Sequence, residues 1–502
     1  VRDQLPIERP TPNRLPITSY EHHWLAKNEP MQLTSSMDDP LLKAASPTGH
    51  SRNLLFGLTL VAATFTICLV RLCGFVWDNA VDLPFEDQWA LLTPLFEGRG
   101  PLAYFFFQAG PYRQGLGGVI EWYLYGATGW NVCADAWAAV VVLASATIAA
   151  IALATRLRGH LSWSDAAFPL LILSPIHWET MILTPSLAHS ILPLLLTFLL
   201  AHAWISTGSA TRVLTVGVFS TLILFTGYGI CCAPATIGLG LLLWLRPARE
   251  DAGKNRRQAG LILLFLGGAV MLFAHGYHWS DEGPGWRFPV PNWWDYPRFC
   301  ALMFTSLMGI RTISAATAAV GAVMLGLVLG AFVAATVKIW RREATARAKA
   351  VWILTGSSLV YAAFTALGRL PFNIEAAFMW RYLALMTPAV CGLALAAEGW
   401  AISRPRAVQR CLMIGWIVLA GNIWWNFLPE QYGAAVAKGK RSWIASYLRT
   451  RDLHTANREA DCDVYFPAPD LPLIADRLHW LDQRHLSFFR DVDNRRPEAS
   501  PP

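Results

Sequence analysis

LLFGLTLVAATFTICLVRLCGFVWDNAVDLPFEDQW, residues 54–89, decides the fold. Residues 54–76 are almost wholly apolar, with Arg52 just before them and Arg71 near their far end. At about 1.5 Å of rise per residue such a run spans the roughly 30 Å hydrocarbon core of a bilayer. Arg71 is then close enough to that far end to snorkel outward. Immediately beyond come the acids Asp78, Asp82, Glu86 and Asp87, the last two inside Pro84-Phe85-Glu86-Asp87-Gln88-Trp89. Carboxylates beside lipid are costly and need a reason. Either they mark the water side of a helix end, or they face a reactive centre at the membrane surface.

The same pattern recurs outward from this stretch. Of 502 residues, 54% are apolar and 15% charged, so the length implies repeated membrane spans rather than soluble domains. The 23 Trp suit a chain with many membrane–water interfaces. Net charge is +7, but Lys and Arg sit in short loops between apolar runs, a topology signal and not a nucleic-acid footprint. The nine Cys lie mostly within apolar runs and form no metal-type CxxC pair, so they read as small packing residues; Cys462 stands apart in a polar tail.

Apolar runs at 54–76, 134–155, 166–183, 188–206, 212 to about 227, 230–245, 259–278, 315–337, 351–367, 378–402 and 411–427 predict an all-α polytopic membrane protein with about eleven transmembrane helices. Basic residues collect in the loops at 156–164, 206–212, 246–258, 338–350 and 403–410, which the positive-inside rule assigns to the cytoplasm. The loops at 77–133, 184–187, 228–229, 279–314 and 368–377 are then outside. Gly115–Gly129, short and interrupted by Glu121, reads as an interfacial helix in the first outer loop; 299–308 reads as interfacial or re-entrant.

Three regions follow. Residues 1–53, polar and Pro-rich without a cleavable signal, read as a disordered cytoplasmic arm. Residues 54–428 are the transmembrane domain, with its outer loop at 77–133. Residues 429–502 are a small extracytoplasmic tail, with amphipathic helices over 431–447 and 474–486, a short strand at Val464-Tyr465-Phe466 and a disordered end. The tail is too small to fold without the membrane part beneath it.

Candidate chemistry lies in the outer loops. A carboxylate of the Glu86/Asp87 pair could take a proton from an attacking hydroxyl. Arg113 offers a planar fork of donors to a phosphate, or else snorkels to headgroups. Arg369, with Trp380-Arg381-Tyr382 across a short loop, makes a plausible anion site, and Glu375 is an available partner for these arginines. His177, Glu179, His189, His275 and His278 fall within apolar runs, where an ionisable group is a functional candidate but more often pairs with a neighbouring helix. No HExxH, phosphate-binding glycine loop or serine-nucleophile elbow is present, which argues against the usual proteases, ATPases and esterases.

Three places carry a resemblance to the GT-C superfamily of integral-membrane glycosyltransferases, and to a group of bacterial polytopic proteins in or near it. They are Glu86-Asp87-Gln88-Trp89, Gly368-Arg369 followed by Trp380-Arg381-Tyr382, and Leu486-Ser487-Phe488-Phe489-Arg490. Trp380 stands where Ser is usual, and Tyr112-Arg113 where such proteins tend to carry His-Arg, which removes a possible catalytic His. The resemblance implies sugar transfer from a polyprenyl-phosphate donor to a glycan or lipid acceptor on the outer face of a bacterial inner membrane. It implies Asp87 as base, with Glu86 its rival, and Arg113, Arg369 or Arg381 as phosphate ligands, with Tyr382 and His189 nearby. It implies no organic cofactor and leaves room for a divalent metal. Gly227-Tyr228-Gly229 and Thr184-Pro185-Ser186, polar breaks on the same side, are expected to shape the cavity. The competing classes are a lipid or glycolipid flippase that uses the same arginines without a base, and a structural envelope-assembly protein.

Overall fold

Inside a bilayer no water is present to satisfy backbone polar groups, so spanning segments close their hydrogen bonds internally as helices. The computed structural model, which describes residues 47–249, 251–278, 288–460 and 471–491, is 79% helical. Its only strands are a short antiparallel pair, β1 (Gln108–Ala109) and β2 (Tyr112–Arg113), among the described residues. The chain is an all-α polytopic membrane protein: among the described residues nine helices are long and apolar enough to cross a membrane.

The first helix, α1, runs Pro47–Asn79, so it begins several residues before the expected boundary at 54; the remainder of the expected arm lies outside the described residues. α2 (Gly115–Thr128) is the expected short helix of the first long loop, and α3 (Cys133–Arg158) is the next span. α3 is ended by Gly159 in the left-handed region at φ 87°, one residue past its basic last turn. α4 covers Leu187–Trp204, α5 Ser209–Phe225, α6 Gly227–Leu245 and α7 Ala252–Ala274. α8 (Asp295–Leu307) is short and its apolar face is buried. α9 (Ala315–Trp340) and α10 (Ala346–Arg369) start at Ser314 and Thr345, whose hydroxyls accept from the N–H three residues on. α11 (Trp380–Ala401) and α12 (Arg406–Trp424) complete the bundle. α9 meets α8 so closely that a Cβ on Gly321 would stand 2.0 Å from the Ala301 carbonyl oxygen, the small-residue contact typical of membrane helices.

Two of the eleven expected spans are not long helices. α5 has 17 residues, and the run at 166–183 is broken. It passes from a short helix at Ala167–Ile172 through a 3₁₀ turn at Pro175–His177 into a π-helical turn at Glu179–Leu183. Pro169 and Pro175 prevent a continuous ladder. Apolar periodicity does not distinguish such a segment from a regular span. The segment is buried in protein except at Leu170 and Leu183, which are partly exposed, and burial is the condition under which irregular backbone survives at membrane depth.

The tail is helical. α13 (Leu428–Thr450) follows α12 after a short turn, and α14 (Leu453–Ala460) and α15 (Leu471–Gln483) pack beside it. Trp443, Tyr447, Leu478, Leu481, Phe488 and Phe489 form one apolar cluster with Leu83, Trp89, Leu92, Tyr125 and Trp130 of the first loop. Arg490 ties the two together, with Nη2 2.8 Å from an Asp82 oxygen. Arg71 does not snorkel: its Nε donates to Glu430 at 2.8 Å, and its guanidinium lies over Trp424 and Phe427. The expected strand at 464–466, Cys462 and the last ten residues lie outside the described residues.

Loops grouped by their basic charge touch one another. Arg158 pairs with Asp165 and Glu398, Arg347 approaches Glu398, and Arg212 reaches Gln258. The acidic and aromatic loops likewise meet each other, Gln88 donating to Pro185, Lys440 to Ile182, and Tyr277 to Pro111. This division predicts opposite labelling of single cysteines at Lys254 and Lys438, both exposed, in a background with Cys411 and Cys462 removed. An impermeant maleimide added outside should modify position 438 and spare 254. Modification of 254 alone would invert the orientation, and modification of both would refute the division.

Candidate functional site

The polar break between the two π-helical turns organises the acidic end. Thr184-Pro185-Ser186 separates Glu179–Leu183 from Leu187–Ile191, and π-turns inside helices concentrate at functional sites. The wide turns place Glu179 on one side of the break and His189 on the other. Backbone groups left over here are taken by side chains from distant parts of the chain. The Gln88 amide donates to the Pro185 carbonyl at 2.7 Å. Lys440, fully buried on α13, donates to the carbonyls of Ile182 and Leu183, each at 2.8 Å. Glu121 of α2 accepts the Leu187 N–H at 3.2 Å.

Glu179 then fixes Arg381. One carboxylate oxygen accepts the Arg381 backbone N–H at 3.0 Å, capping the start of α11, while the other accepts the guanidinium Nε. Arg381's partner is therefore Glu179; Glu375 is exposed and forms no ion pair among the described residues. The Nη1 of Arg381 turns to Asp87, 3.7 Å away, whose side chain is 47% exposed.

Glu86 adopts φ 48°, a left-handed conformation that costs a non-glycine residue about 1–3 kcal/mol and clusters at functional sites. The turn lets Glu86 accept from the Thr184 hydroxyl at 3.2 Å. Burial raises the Glu86 pKa above the ordinary carboxylate range, Arg381 opposes the rise, and Asp87 and Glu179 add to it. Adjacent side chains in a turn are expected to point apart, one of them away from the centre. Instead Glu86 and Asp87 both lie within electrostatic reach of Arg381, because the left-handed residue bends the chain around it.

An aromatic floor adjoins these charges. The Tyr112 hydroxyl is 2.6 Å from His189 Nε2, and the His189 ring stacks on Tyr228 at 5.2 Å. Tyr228 also packs against Tyr112, Tyr361 and Tyr382. The hydroxyls of Tyr361 and Tyr382 are buried without a hydrogen-bond partner among the described residues. Arg369 is exposed at the rim, in electrostatic contact with Tyr382, Tyr228, Tyr112 and Arg381, and no carboxylate pairs with it among the described residues. Gly227 allows this arrangement: at φ 51° a Cβ would meet the Ala188 carbonyl oxygen at 1.7 Å.

Six of the seven expected site residues, Glu86, Asp87, His189, Arg369, Arg381 and Tyr382, are thus brought together. Arg113 is not. It is 3% exposed, and its guanidinium donates to the carbonyls of Phe106, Phe273 and His275, so its fork caps the end of α7 rather than holding an anion. Tyr112 stands where a histidine was expected, yet an imidazole is present at that point, supplied by α4. Glu179, Tyr228 and Tyr361 complete the group. The signal for Glu179 is an acid in an apolar run with no basic residue at helical spacing. Lys440 falls on the buried stripe Gly433, Ala437, Lys440, Trp443, Tyr447 of an amphipathic helix, a position that predicts burial. Among the described residues no three His, Cys, Asp or Glu side chains gather as metal ligands.

Two outcomes follow. Lys440→Met leaves two buried carbonyls unpaired and should lower stability by at least about 1–3 kcal/mol, read by thermal unfolding in detergent; unchanged stability would remove Lys440 from the scaffold. Glu121 is buried, and burial pushes its pKa up to about 7 against the favourable hydrogen bonds from Tyr104 and Leu187. A raised carboxyl pKa favours folding in the protonated form, so its contribution is complete below pH 4.5 and lost as pH rises through about 7. Glu121→Gln should flatten the fall in melting temperature from about pH 5 to about pH 8; an unchanged pH dependence would assign it elsewhere.

Comparison with protein-family models, curated proteins and solved structures gives no match for this chain.

Proposed function

We propose that the chain is a membrane glycosyltransferase of the GT-C kind, transferring a sugar from a polyprenyl-phosphate donor to a glycan or lipid acceptor on the outer face of the membrane. The observation that carries this reading is the pairing of a half-exposed carboxylate, Asp87, with Arg381 at 3.7 Å beside the unpaired Arg369. Asp87 takes the proton of the acceptor hydroxyl as its oxygen bonds to the anomeric carbon. The bond from that carbon to the donor phosphate breaks, and the leaving phosphate gathers negative charge. Arg369 and the free edge of Arg381 face that charge. Glu179 holds Arg381 in place, so the guanidinium does not have to reorganise during the reaction.

The transport reading asks for charged groups along a path to the opposite end that would carry the phosphate. α10 carries no charged residue between Lys349 and Arg369, and α11 none between Arg381 and Glu398. That favours a reaction at the rim. The eleven-pass topology, with the basic loops in the cytoplasm and the tail outside, belongs to this proposal.

Purified protein supplied with labelled polyprenyl-phosphate sugars provides the test. Asp87→Asn should lower turnover by about 10²–10⁴-fold with little change in donor binding, and Glu86→Gln should be milder. Arg369→Ala should weaken donor binding. Full transfer by Asp87→Asn would end the base assignment, and full function in both acid variants would favour lipid transport.

A further inference from the structure

A second charged site lies at the opposite end of the bundle. Between the last turn of α3, the α4–α5 link and the start of α10 is a cavity of about 390 Å³ lined by Arg156, Leu157, Ile205, Thr207, Thr345 and Arg347. Its charges do not balance. Arg156 is exposed, and among the described residues its guanidinium makes a single hydrogen bond, to the Ile205 carbonyl at 3.4 Å. Arg347 donates to the Leu395 carbonyl at 3.0 Å and lies 3.8 Å from Glu398, which Arg158 holds more closely at 2.8 Å. Arg158 also engages Asp165. Arg158 and Arg347 therefore take up both carboxylates, and among the described residues none is left for Arg156.

Next to this cavity, Arg212 and Lys349 face a smaller one. Lys349 is partly buried, its ammonium has no hydrogen bond or ion pair among the described residues, and it feels the like charge of Arg212. Like charges held together at partly buried positions, at the ends of apolar helices, are stabilised by an anion.

We infer that this cavity binds the phosphate of an anionic phospholipid. Arg156 and Arg347 line it together with Thr207 and Thr345. Leu157 and Ile205 provide an apolar wall on which acyl chains continue along α3 and α4. Basic pockets between membrane helices recognise headgroups in this way. A free phosphate would satisfy the same arginines but leave the apolar wall uncovered.

The test uses the full chain in nanodiscs of phosphatidylcholine alone or with phosphatidylglycerol, and in detergent with inorganic phosphate. Melting temperature and lipid retained in native mass spectrometry are the readouts. Phosphatidylglycerol should raise the melting temperature and be retained, whereas inorganic phosphate should do neither. Arg156→Gln should weaken retention about fivefold, and Arg156→Gln with Arg347→Gln should abolish it; Lys254→Gln, an exposed control, should have no effect. Arg156 is exposed, so its single variant keeps the test valid if the double variant fails to fold. Equal behaviour of the two lipids, or equal loss in Lys254→Gln, would reduce these arginines to orientation signals. Full protection by inorganic phosphate would overturn the lipid assignment.

Discussion

Everything at the acidic end depends on satisfying backbone groups around Thr184-Pro185-Ser186. A regular helix would consume these groups itself. Here the chain opens in the buried interior, and an unpaired carbonyl or N–H in that setting costs several kcal/mol. Gln88, Glu121 and Lys440 supply the missing partners from the first loop, α2 and the tail. Three segments far apart in sequence are thereby fixed to one point. The same break frees Glu179 and His189 from helical register, so that one can hold Arg381 and the other can meet Tyr112.

The charges follow the same logic. Arg381 is largely withdrawn from solvent and would be intolerable alone; Glu179 neutralises it and locks its direction. One edge of the guanidinium remains for Asp87. Arg369 lacks such a partner among the described residues and stays at the rim. A fixed arginine beside an unpaired one is an arrangement suited to an anion that arrives and leaves, because only part of the positive charge is neutralised internally.

Much of this was legible in the sequence, and the limits are physical. Runs such as 134–155 and 315–337 declare themselves because length and apolarity are sufficient for a span. The outer acids and arginines were visible because charge near lipid is conspicuous. The broken run at 166–183 was not, since composition is blind to whether a backbone ladder is continuous. Arg113 misled because an arginine that caps carbonyls has the same local sequence as one that binds phosphate. The partnership of Glu179 with Arg381 joins residues two hundred positions apart, and no local pattern encodes it. Lys440 was within reach, as a charge on the apolar stripe of α13, had the stripe been read for what interrupts it.

The placement of Lys440 has a consequence for how the protein is made. α13 leaves the ribosome after the membrane helices α1 to α12, so the carbonyls of Ile182 and Leu183 wait through their synthesis for their ammonium partner. Until it arrives, the break is held from one side only, by Gln88 and Glu121. A chain clipped between α12 and α13 would retain all its membrane helices and its orientation, yet its rim would be unfinished. The rim is thus finished by a segment that follows the membrane helices it braces.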